Sequence, residues 1–259
     1  WFGWFNSFFM FSLDEVRESL EALKKASDQL AEWFQFIGDY DQKLEDMGYP
    51  LAYGGFSYAP FDLLGDTMRS TRGILSDIHR RPETVKEACE VLTPIAIDMG
   101  ANAAESAGNP FVWIWLHKGV DEFMSDEQYR EIYWPSLKNL LEGLIDRGCI
   151  PMVYSEGSYN TRLEVLRDVP KGELLYHFEK VDMEKAAETL GDVACLSGML
   201  PNSLLISGTE KKVRDHCKKL IDIVGEDGGL IMDTAALVDE AKPENLKAMF
   251  ETTKEYGVY

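Results

Sequence analysis

Six short apolar runs punctuate this chain, at 50–54, 111–116, 150–153, 173–178, 193–198 and 230–234, and each leads towards a helical pattern. No hairpin signal joins one run to the next, so the alternation reads as βα units feeding a parallel sheet. The stretch Arg147–Ser158, RGCIPMVYSEGS, shows the unit most clearly. Gly148 stops the helix before it, and Ile150, Met152 and Val153 make a strand covered on both faces, as parallel strands are. The chemistry then changes: Tyr154, Ser155 and Glu156 stand where the strand leaves the core, Gly157 permits a tight turn, and a helix is expected from near Asn160. In a barrel of alternating strands and helices, such tips form the active-site face.

No GxGxxG or Walker sequence follows any of the runs, so a nucleotide-binding doubly wound sheet gives way to an α/β TIM (β/α)8-type barrel. Such a barrel needs eight strands and six are legible. The other two are expected in the aromatic N-terminus or in a truncated N-terminal portion, since the chain also has no initiating Met. Residues 1–259 are read as a single domain, because α/β barrels often use about 200–250 residues for one. Among the helices, Ser12 with Glu15 predicts a capping box, followed by a helix broken at Gly38; Ser125 with Gln128 predicts a second box, on a helix that runs through Pro135 to Arg147. Thr209 is a predicted cap, and Pro82 and Pro243 open helices.

The 45 acidic residues outnumber the 26 basic ones, for a formal net charge of −19. That balance opposes binding to nucleic acid or an anionic membrane and favours a soluble surface. Cys89, Cys149, Cys195 and Cys217 are far apart with no CxxC pair, which reads as reduced thiols in a cytoplasm. No apolar run reaches the roughly eighteen residues that would span a bilayer. The opening WFGWFNSFFMF lacks a basic leader and makes a poor signal-peptide core; packing against neighbouring helices is the expectation for residues 1–11.

The ordered series FDLLGDTMRSTRGILSDIHRRPETV, MSDEQYREIYWPSLKNLLEGLIDRGCIPMVYSEG and LGDVACLSGMLPNSLLISGTEKKVRDHCKKLID, then GGLIMDT and KPENLKAM, resembles the uroporphyrinogen decarboxylase superfamily. The likeness covers nearly everything after about residue 49 and implies a TIM barrel. It divides into decarboxylases of uroporphyrinogen and methyltransferases that serve corrinoid proteins. The tyrosine and histidine expected of the decarboxylases fall at Asp66 and Ala235, and their aspartate and arginines would lie upstream of residue 1. The zinc-binding His-x-Cys pair and later Cys of the thiol-using methyltransferases fall at Tyr154-Ser155-Glu156 and Ala235. The resemblance therefore implies the corrinoid-linked methyltransferase branch, with a departure from its thiolate zinc site.

In that barrel His117, Glu156 and His177 lie near the ends of three strands. A carboxylate with two imidazoles suits zinc, or serves without metal as a general acid for a leaving group. The competing reading for each histidine is a structural hydrogen bond, and for Glu156 a solvated or paired carboxylate. Asp66, Tyr58, Tyr154 and Asp233 are candidate substrate contacts, with Tyr58, Tyr154 and Tyr159 placed to stack on a flat aromatic ring; His79, His216 and Cys217 receive no site role. The expected function is transfer of a methyl group between a small methylated compound, such as a methoxylated aromatic, and a corrinoid carried by a partner protein. The alternatives are uroporphyrinogen decarboxylation and non-catalytic binding of a tetrapyrrole or corrinoid.

Overall fold

The computed structural model describes residues 8–225 and 228–258, and its contacts divide the chain into two units, Trp1–Ala52 and Tyr53–Tyr259. The first unit is built on one helix of 33 residues, α1 (Asp14–Asp46). Gly38 does not interrupt it, since a lone interior glycine costs a helix only about 1 kcal/mol. The expected Ser12 cap is replaced as well. Leu13 is the cap residue, and the Ser12 hydroxyl donates to the Phe9 carbonyl instead. The packing expected of residues 1–11 falls, for 1–7, outside the described residues.

Among its described residues the second unit holds six strands: β1 (Gly55–Tyr58), β2 (Phe111–Leu116), β3 (Ile150–Ser158), β4 (Leu175–Lys180), β5 (Cys195–Leu200) and β6 (Leu230–Thr234). They pair in chain order and every pair is parallel. This is the strand order of a TIM-type barrel, with six staves among the described residues. Helices of eight residues or more in this unit are α2 (Ser70–Arg80), α3 (Pro82–Ala107), α4 (Trp134–Asp146), α5 (Met183–Leu190), α6 (Glu210–Val224) and α7 (Pro243–Tyr256). None of the described helices is long and apolar enough to cross a membrane.

Strands β2 and β6 lie where the apolar runs predict them. The first strand starts at Gly55 rather than Pro50, because pairing begins where helix α3 comes closest: a Cβ on Gly55 would strike the backbone of Gly100. Strand β3 continues through its polar tip to Ser158, with an irregularity between Ser155 and Ser158. The helix expected from near Asn160 is a single turn, Leu163–Leu166. The helix expected from Ser125 to Arg147 is also divided. Its capping box forms, but a π turn at Tyr129–Tyr133 follows before α4, and this irregular turn accommodates Pro135, which has no N–H to donate.

The period-two alternation of the strands separates two kinds of chemistry. Val112, Ile114, Leu116, Val153, Tyr176 and Phe178 are fully buried and, with Leu137, Leu140 and Leu144 of α4, form the core between sheet and helices. Each large apolar side chain buried in this way contributes about 1.5–3 kcal/mol. By register, Phe56, Tyr58, Trp113, Trp115, Tyr154 and His177 share the opposite face. Their rings touch in two groups, Phe56, Tyr58 and Trp115, with Phe56–Trp115 at 5.9 Å, and Trp113, Tyr154 and His177, with Tyr154–His177 at 4.3 Å.

Candidate active site

The C-terminal ends of β1, β2 and β3 bring one charged cluster together. After β1, Pro60 starts a single helical turn and a π turn at Leu64–Arg69 follows, so that Asp62 and Asp66 both reach the residues leaving β2. Asp62 is fully buried. Its carboxylate accepts the backbone N–H groups of His117 and Lys118, both at 2.9 Å, and the Tyr133 hydroxyl at 2.6 Å. Burial pushes this carboxyl up to about 6, and its three donors and the nearby positive charge only partly offset that cost.

Asp66 holds the side chains of the same two residues. One oxygen accepts from Lys118 Nζ, and the other lies 2.6 Å from His117 Nδ1. Partial burial raises the Asp66 carboxyl, but the bonds from Lys118 and His117 outweigh it and hold the group below the usual carboxylate range. With Nδ1–H donated to Asp66, the other imidazole nitrogen, Nε2, faces Glu156 Oε2 at 3.9 Å. Burial lifts the Glu156 carboxyl above its ordinary range; His117 opposes this, and Glu179 and Asp66 lift it further. Glu179 comes from β4 and accepts the Gly157 N–H at 2.7 Å. The loop beyond Lys118 is fixed from below by buried Arg162, which donates to the carbonyls of Gly119 and Met124 and stacks its guanidinium over Tyr129.

A second cluster adjoins the first through Tyr154. The Tyr154 ring stacks 4.3 Å from His177 and 4.9 Å from Trp113. Its hydroxyl is pushed up to about 12 by burial and then by the charges of Glu156, Glu179 and Asp233. His177 is almost wholly buried, with Nε2 at 2.8 Å from the Thr234 carbonyl and 3.5 Å from Asp233. Its Nδ1 is buried and has no hydrogen-bond partner among the described residues.

The structure thus joins Asp66, His117 and Glu156 directly, sets Tyr58 5.9 Å from the His117 ring, and gathers Tyr154, His177 and Asp233 alongside. It does not form the expected three-ligand metal set. The His177 Nε2 is engaged by Thr234, and among the described residues no group of three or more His, Cys, Asp or Glu side chains is placed to hold a metal ion. These residues do not fit a zinc centre made of His117, Glu156 and His177. Tyr159 is fully buried and faces Phe178, so it belongs to the core and not to a stacking surface.

Sequence reasoning gave no role to Asp62, Lys118 or Glu179. Lys118 follows His117 at a strand end, which was a usable signal. Asp62 depends on partners 55 to 71 positions away, and only the fold brings them to it. A cavity of about 440 Å³ at the other end of the sheet is lined by Ala101, Gly108, Arg147 and Cys149, among others. It lies at the N-terminal ends of β2 and β3, the face of such a fold that serves stability.

No curated protein matches this chain. Among solved structures it is similar to a methyltransferase from Methanosarcina mazei, at 19% identity and a TM-score of 0.68 over 83% of this chain. The chain spans 62% of the length of that structure, and the likeness speaks to the fold. The profile of the uroporphyrinogen decarboxylase (URO-D) family matches residues 10–256. With that match, a parallel sheet in barrel order and a polar cluster at its C-terminal end, the chain belongs to the uroporphyrinogen decarboxylase (URO-D) family.

Proposed function

We propose that this protein is a cytoplasmic methyltransferase that takes a methyl group from a small methylated compound, such as a methoxylated aromatic, for a corrinoid carried by a separate protein. The observation that carries the reading is the clamped imidazole. His117 is held at Nδ1 by Asp66 and presents Nε2 to a carboxyl whose proton affinity is raised. Demethylating an ether breaks the methyl carbon–oxygen bond and leaves the bonding pair on oxygen. The corrinoid supplies the nucleophile that accepts the methyl group. Glu156 donates its proton to the departing oxygen, and solvent returns a proton to its half-exposed carboxylate, beside the His117 ring that Asp66 holds in place. A positioned general acid of this kind contributes about 10²–10⁴-fold to rate.

The name of the Methanosarcina structure and the aromatic face beside the cluster support this reading. Decarboxylation of uroporphyrinogen is the second reading, favoured by family membership. It fits the cluster less well, because a substrate rich in carboxylates would approach Glu156, Glu179 and Asp233. The test mixes purified protein, a reduced corrinoid protein and 2-methoxyphenol. One demethylated ring formed per methylated corrinoid supports the proposal. Conversion of uroporphyrinogen to coproporphyrinogen, with no methyl transfer across a broad donor panel, contradicts it.

A further inference from the structure

We infer that the site selects its methyl donor by charge, accepting uncharged or cationic aromatic methyl ethers and rejecting rings that bear a carboxylate. This rests on the methyl-donor reading above and adds a specificity that reading does not contain. Two independent features meet at the strand ends. The first is the aromatic face, where Phe56 is 44% exposed and contacts Trp115, which in turn contacts Tyr58 at 5.5 Å. Offset stacking on such rings suits a flat aromatic guest.

The second feature is the charge around that face. Burial pushes Glu156 towards protonation and Glu179 and Asp66 add to it; burial likewise raises the Tyr154 hydroxyl, with Glu156, Glu179 and Asp233 adding to it, so four carboxyl groups act on one small region. The opposing groups are Lys118 and His117, and both are engaged by Asp66. Glu179 and Asp233 take no part in the proton transfer from Glu156 to the leaving oxygen. Glu179 bonds the Gly157 N–H, while Asp233 accepts the Thr234 N–H and faces His177. Each adds negative charge at Tyr154, which lies in register with Trp115 and Tyr58 on the same face, and partial desolvation there strengthens the repulsion of an anionic guest.

The test compares three ligands built on one ring, 2-methoxyphenol, 4-hydroxy-3-methoxybenzoate and 4-hydroxy-3-methoxyphenethylamine. Each is titrated against the intrinsic tryptophan fluorescence of the purified protein, without corrinoid. The expected result is binding of the carboxylate roughly tenfold weaker than the neutral ring, a gap that narrows in about 0.5 M salt. In the double variant Glu179→Gln/Asp233→Asn, the gap should close at least about threefold. Equal or tighter binding of the carboxylate, a gap unchanged by the double variant, or no saturable binding by any of the three would overturn the inference. The two proposals fail separately: charge-selective binding without methyl transfer sinks the methyltransferase reading alone, and equal transfer from the carboxylated ring sinks the charge selection alone.

Discussion

Asp62 shows how one buried carboxylate shapes the site without touching a substrate. Its two oxygens fix the backbone of His117 and Lys118, and therefore the direction from which His117 meets Glu156. The position carries a pH signature. A folded-state pKa of about 6 against an ordinary value of 3.8 means that the folded protein binds a proton more tightly than the unfolded chain does. The stability from this group is therefore fully present below about pH 4 and is lost as pH rises through 6, a change of roughly 3 kcal/mol. Urea denaturation of wild type and Asp62→Asn at pH 4 and pH 7 isolates the effect. Stability of the wild type relative to the variant should fall across that interval, and a constant difference would show that Asp62 does not titrate there. The signal was hidden in the sequence because FDLLGD looks like an ordinary helix start. By contrast, His117 and Glu156 were legible from their positions at the ends of apolar runs.

The elements that place these residues are mostly irregular. Two π turns, at Leu64–Arg69 and Tyr129–Tyr133, deliver Asp66 to one side of the cluster and Tyr133 to the other. Helical periodicity in the sequence marks helix but does not show where an extra residue enters a turn, so Tyr129–Tyr133 was read as plain helix. Because Tyr133 gives Asp62 its only hydroxyl donor among the described residues, Tyr133→Phe should cost about 1.5–3 kcal/mol in urea denaturation. A change below about 0.5 kcal/mol would mean that the bond is dispensable. Strand β5 makes a similar demand. Gly198 has φ +83°, and a Cβ there would strike the Phe178 carbonyl oxygen and come within 3.0 Å of the His177 ring. Gly198→Ala should destabilise by about 2–4 kcal/mol and disturb the Tyr154–His177 stack. Near-ultraviolet circular dichroism unchanged from wild type would contradict that coupling. The strands bounded by Gly and Pro, β2 and β6, were readable in advance, whereas the start of β1 is set by the close approach of Gly55 to Gly100, which no local pattern reveals.

At the scale of the molecule, one parallel sheet sorts apolar side chains to the helix side and rings and charges to the other. The fold class was legible because βα alternation repeats six times, and one misplaced boundary does not alter the repeat. The site was legible only in part, since alternation says which residues share a face but not which nitrogen of His177 is occupied by Thr234. The net charge of −19 has a local counterpart at the strand ends, where Glu156, Glu179 and Asp233 surround Tyr154. The central claim is that Glu156, presented by the Asp66–His117 pair, protonates the group that loses its methyl. Single-turnover methyl transfer from 2-methoxyphenol to a reduced corrinoid protein, measured for wild type and Glu156→Gln with donor affinity determined in parallel, tests it most directly. A rate lowered about 10²–10⁴-fold with affinity held within a few-fold is the predicted result, and an unchanged transfer rate in the variant would contradict the account.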